Sequence, residues 1–244
     1  MNAEDLGGRQ WCEHAVPEFL PALRAGIAQT LATEHDLSQR EIAERMGLTQ
    51  AAVSHYVTKR RGRRSRRRDQ RLQKYAGRLA GRVAAGLSGP RLTAAICGAC
   101  TSYRKTEGVG PCSCILGGVS KPNFLLALGA RGGFPKQPCE TFVVERLLPF
   151  VRSELARRLV PDQGQVPVAS LLGVSQPAVS QYMSGHRGED PPLRKDPVVQ
   201  AQLDDLERDL VEGLSDHERK RAFCDACVQI RSHVLDVDAL RPTA

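Results

Sequence analysis

Apolar residues recur at helical spacing in blocks, and the blocks come in pairs. Phe19, Leu20, Leu23, Ile27 and Leu31 fall on one face of a helix. Leu147, Leu148, Val151, Leu155 and Leu159 repeat that face 128 residues later, and Pro149 repeats Pro21. A second stripe, Leu72, Ala76, Leu79, Val83 and Leu87, returns 127 residues on as Val199, Leu203, Leu206, Leu210 and Leu214. The pattern predicts an all-α chain built as a tandem duplication: one domain over 1–105, a second over 139–244, and a connector over 106–138. The connector is rich in Gly and Pro and has no partner in either copy, so it reads as a linker.

Between the two stripes of each copy lies a shorter pattern. In Gln39 to Thr58, Ala43 stands fifth, Gly47 ninth and Val53 fifteenth. A small residue lets two helices cross closely, a glycine turns the chain through a left-handed conformation, and an apolar residue packs the second helix on the first. Gln165 to Ser184 repeats the arrangement with Ala169, Gly173 and Val179. Two such patterns in register predict two helix-turn-helix motifs. Thr49 and Ser175 stand as N-caps of the second helices. Gln50, Ala51, Ser54 and His55 then face outward in the first copy, as do Gln176, Ser180 and Gln181 in the second. Ser215 and Glu218 have capping-box spacing and predict the start of a last helix.

Charge separates the copies. Residues 1–104 carry 18 Lys and Arg against 9 Asp and Glu, while residues 137–244 carry 13 against 17. Most of the excess lies in Lys59-Arg60-Arg61-Gly62-Arg63-Arg64-Ser65-Arg66-Arg67-Arg68, directly behind the first candidate recognition helix. A run of like charge in that place predicts contact with phosphates, so the expected partner is double-stranded DNA. Thr49, Ser175, Lys59, Arg60, Arg61, Arg63 and Arg64 join the outward residues as candidate DNA contacts. The second copy has Gly185-His-Arg-Gly-Glu-Asp-Pro-Pro192 at this place, which predicts weaker DNA contact or a role in pairing. Met1 to Gly8 holds no apolar signal region and no apolar stretch is long enough to span a bilayer, so a cytoplasmic protein without a membrane partner is expected.

Six of the eight cysteines form two equivalent triplets, Cys12, Cys97, Cys100 and Cys139, Cys224, Cys227, each displaced by 127. Two thiolates in a helical CxxC reach one side, and a third at the head of the first helix completes a soft-metal ligand set. An iron–sulfur cluster or zinc is the expected occupant; buried core cysteines and a thiol–disulfide switch are the competing readings. Glu13 and Glu140 beside the first cysteine of each triplet are read as caps of the first helix. Cys112 and Cys114 in the connector belong to neither set.

With these residues in place, the chain resembles a family of predicted prokaryotic transcriptional regulators, best populated in archaea, of the lambda-repressor-like class. The resemblance rests on Cys12-Glu13, Gln50 to Ser54, Cys97, Cys100 and Arg104, and again on Cys139-Glu140, Gln176 to Ser180, Cys224, Cys227 and Arg231. It implies two lambda-repressor-like helix-turn-helix domains forming an intramolecular pseudo-dimer, where the family has one copy and pairs as a dimer. The expected function is sequence-specific regulation of transcription, with cysteine-held clusters reporting iron or redox state. The alternative is a zinc-stabilised structural or interaction module with non-specific DNA binding, whose second copy serves only pairing. No nucleophile–base pair, phosphate loop or paired carboxylates suggest an enzyme.

Overall fold

The apolar periods become helices wherever the flanking residues can satisfy the first amides. The computed structural model describes residues 11–58, 69–106 and 139–240, the side chains of 90, 105–106, 139–141 and 235–240 excepted, and every regular element among them is helical. The first copy runs through α1 (Trp11–His14), a π-helical stretch (Ala15–Phe19), α2 (Leu20–Glu34), α3 (Gln39–Met46), α4 (Gln50–Val57), α5 (Gln70–Ala84) and α6 (Gly89–Thr106). The second holds a π-helical stretch (Cys139–Leu147), α7 (Leu148–Gln163), α8 (Gln165–Leu172), α9 (Gln176–Met183), α10 (Pro191–Lys195), α11 (Pro197–Val211) and α12 (Asp216–Leu240). No helix of the described residues is long and apolar enough to cross a membrane.

The chain forms two units. Residues 14–106 make the first, in which α2 packs on α4 and α5, and α6 touches α3 and α5. The apolar stripe of α2 is fully buried, as are Leu72, Ala76 and Val83 of α5. The two helices cross closely at Gly26, where a Cβ would stand 2.7 Å from that of Ala76. Residues 139–240 make the second unit, joined by residues 11–13. Here α7 packs on α8, α9 and α11, and α12 packs on α11. Leu147, Leu148, Val151, Leu155, Val199 and Leu203 are buried in its core. Each fully buried aliphatic side chain contributes about 1.5–3 kcal/mol, so these stripes hold the units together.

Leu87 and Leu214 correct the expected stripes. The helices stop at Ala84 and Val211, and both leucines follow a turn at Gly86 or Gly213. The capping box of Ser215 and Glu218 forms as expected, with the Ser215 amide donating to Glu218 Oε2 at 2.9 Å. A second box closes the head of α3, where Ser38 and Glu41 exchange bonds.

Asp69 and Asp196, equivalent in the two copies, cap α5 and α11. Asp196 accepts from the amides of Val198 and Val199 and lies 2.9 Å from His233 Nε2. Burial raises its pKa, but the His233 bond and the two amides outweigh burial and hold it below the ordinary value. A carboxyl depressed in the folded state stabilises above its unfolded pKa of about 3.9, and that contribution is lost as pH falls through the lower folded value. Asp196→Ala should therefore lower stability by about 0.5–2 kcal/mol near neutral pH. The gap between variant and wild type should narrow in thermal unfolding below about pH 3. A gap that stays constant down to that pH would show that the carboxylate is not what caps α11.

Candidate nucleic-acid interface

Each copy holds two eight-residue helices joined by a three-residue turn. Gly47 (φ 64°, ψ 40°) and Gly173 (φ 63°, ψ 38°) take the left-handed conformation that the sequence pattern requires. The chain then closes the turn by donating from Leu48 N to Ala43 O at 2.9 Å, and from Val174 N to Ala169 O at 3.0 Å. Ala43 and Ala169 are buried in the crossing, and Val53 and Val179 are fully buried beneath the second helix. Tyr56 and Tyr182 lie one turn further along the same buried face.

The packing leaves the other faces of α4 and α9 outward. Thr49, Gln50 and Ala51 are exposed at the head of α4, while Ser54 and His55 are half-buried. In the second copy Ser175, Gln176, Ser180 and Gln181 are all exposed. Thr49 caps α4 by accepting from Ala52 N at 3.1 Å. Ser175 does not cap α9 with its side chain. Pro177 has no amide to offer, and the Ala178 amide is taken by the Ser175 carbonyl at 3.0 Å. Gln176 is held at the head of α9 by donating from Nε2 to Gln165 Oε1 at 2.5 Å. Gln165 is not among the expected site residues. Its signal is that Gln39 and Gln165 open both patterns just as Gln50 and Gln176 open both second helices.

Lys59, Arg60, Arg61, Arg63 and Arg64 lie outside the described residues. The matching stretch of the second copy is tied into its own unit. Arg157 pairs with Glu189, and Arg146 pairs with the buried Asp190, which also caps α10. Arg187 lies over the Tyr182 ring, 5.7 Å from its centroid.

The amino-terminal cysteine is grouped differently from the sequence expectation. Cys97 and Cys100 sit on α6, half-buried, in the first unit, while Cys224 and Cys227 are buried on α12 in the second. Cys12 lies in the core cluster of the second unit together with Cys227. Among the described residues no three His, Cys, Asp or Glu side chains are arranged to hold a metal ion, and the side chains of Cys139 and Glu140 lie outside them.

Glu13 goes the same way, as an ion-pair partner in the second unit. Arg152 of α7, only 3% exposed, donates from both terminal nitrogens to Glu13, at 2.5 and 2.8 Å, and from Nε to Leu172 O at 3.2 Å. Burial disfavours the Arg152 charge, but the hydrogen bonds and charge of Glu13 outweigh it and hold the guanidinium above its ordinary pKa. The Leu172 carbonyl ends α8 at the turn, so this pair braces the second copy's two-helix element from behind.

Comparison with protein-family models, curated proteins and solved structures gives no match for the chain.

Proposed function

We propose that the protein is a sequence-specific regulator that binds double-stranded DNA through two lambda-repressor-like helix-turn-helix motifs acting as an intramolecular pseudo-dimer. The observation that carries this reading is the doubled turn. In both copies a left-handed glycine and a buried alanine set a short helix with an outward glutamine at its head. A glutamine there suits bidentate contact with adenine in the major groove, and Ser54, His55, Ser180 and Gln181 extend the surface for further base edges. The basic run after α4 adds phosphate affinity, and the internal ion pairs of 185–190 make the second copy a reader of bases more than of phosphates.

An iron–sulfur cluster or zinc is a separate proposal, supported by the burial of Cys12, Cys224 and Cys227 within one unit. Metal analysis of protein purified without air decides it.

Selection from random duplexes should recover a site with two related half-sites about one helical turn, roughly 34 Å, apart. Gln50→Ala and Gln176→Ala should each relax base preference in one half-site, costing about 1–3 kcal/mol there, while non-specific binding holds. Selection that enriches no sequence would sink the reading. A single half-site untouched by Gln176→Ala would remove the second copy from it.

A further inference from the structure

The second unit holds a cleft of about 670 Å³, inside the roughly 300–1,000 Å³ range of small-molecule sites. Arg152 and Tyr182 line it, with Val144, Val174 and Ala178 as apolar wall, and Ser175 and Arg187 among its polar groups. The equivalent crevice of the first unit, lined by Arg24, Met46, Leu48, Leu92, Thr93 and Ile96, encloses only about 10 Å³. Leu92 and Thr93 are buried in the first unit, but the positions 127 residues on are Arg219 and Lys220, both half-buried. Arg219 turns to Asp216 on its own helix.

Several groups of the cleft are uncommitted among the described residues. The Tyr182 hydroxyl is buried without a hydrogen-bond partner, in a side chain 0% exposed. Ser175 stands at the N-cap position of α9 without making a cap bond. Arg187 has the face of the Tyr182 ring as its partner and pairs with no carboxylate. The acidic groups in the cleft are already used, Glu13 by Arg152 and Asp216 by Arg219. What is left over is one guanidinium and the hydroxyls of Ser170, Ser175 and Tyr182 beside an apolar wall.

We infer that this cleft binds a small organic carboxylate. The carboxylate pairs with Arg187 and accepts from the hydroxyls of Ser175 and Tyr182, and the apolar body lies on Val144, Val174 and Ala178. Ala178 and Tyr182 share one face of α9, whereas Gln176 and Ser180 share another. A ligand held on the first face therefore biases the helix that carries the second, which makes it an effector. This last step rests on the DNA-binding reading; the site itself does not.

The test uses the full chain, first without DNA. A panel of short aliphatic and aromatic monocarboxylates, each beside its primary amide, is titrated by ligand-observed NMR and thermal unfolding. At least one acid should bind saturably, with its amide about tenfold weaker or more. Arg187→Gln should reduce that acid to the level of its amide at unchanged melting temperature, and Tyr182→Phe should weaken it further. Should Arg187→Gln unfold the unit, Arg187→Lys keeps the charge and must keep the preference for acid over amide. The inference is overturned if no acid binds, if acid and amide bind alike, or if binding survives Arg187→Gln. In a second arm the binding acid should shift DNA affinity several-fold. Ligand binding without that shift overturns the effector step alone. Absence of all DNA binding by the unliganded protein counts against the DNA reading and leaves the carboxylate site standing.

Discussion

Glu13→Ala should unfold the second unit at denaturant concentrations where the wild type stays folded. The substitution leaves Arg152, 3% exposed, with a charge in the core and only the Leu172 carbonyl as partner. Removing one member of a buried pair costs about 3–5 kcal/mol, because the remaining charge loses its compensation without regaining water. Against a typical domain stability of about 5–15 kcal/mol, that is a large fraction. Glu13→Leu combined with Arg152→Met removes both charges and should recover much of the loss. A chain starting at Pro138 should show the same weakness, since residues 11–13 belong to that unit. Denaturant titration of the full chain is the measurement. Wild-type stability in Glu13→Ala would mean that the pair contributes nothing net.

Replacing Arg63, Arg64, Arg66, Arg67 and Arg68 by Gln should weaken binding to every DNA sequence and flatten its salt dependence. The slope of log affinity against log salt should fall by about 0.9 for each phosphate that is no longer neutralised. Five such phosphates together would take several orders of magnitude from affinity at moderate salt. The counterpart stretch supplies the control. Arg187 is its one Lys or Arg, and its acidic Glu189 and Asp190 are engaged by Arg157 and Arg146. Neutralising Arg187 should move the slope by no more than a single phosphate would. An unchanged slope in the five-fold variant, with weakening confined to the specific site, would assign the run to base reading or to structure.

The turns were legible because their requirements are local. A residue that must take positive φ, a residue that must be small and a residue that must be buried fall at fixed distances, and Gly47, Ala43 and Val53 meet them. The apolar stripes were legible for the same reason up to their ends, where Leu87 and Leu214 continue the spacing after the backbone has stopped being helical. What could not be read was which copy a segment packs with. Duplication makes the two cores alike, so the spacing of Cys12 and Glu13 fits either one, and the choice rests on an ion pair between residues 139 apart. The cleft was hidden by a similar non-local cause. The exchange of Leu92 and Thr93 for Arg219 and Lys220 reads as surface drift until the helices are placed. The α10 turn was missed because Pro191-Pro192 reads as loop, whereas Asp190 caps a helix that starts on those prolines.

The Glu13–Arg152 pair also sets an order of events during synthesis. Glu13 leaves the ribosome before Arg152, which is made 139 residues later. At about 5–20 residues per second, the first helix waits on the order of ten seconds with its acidic end unmatched. Residues 14–106 of the first unit are all made within that interval. The second unit has to recruit a piece of chain that is already tethered to a folded neighbour. A ribosome stalled in the connector would release a product whose amino-terminal cysteine and tryptophan have no core to enter, a state suited to capture by chaperones or by a second chain.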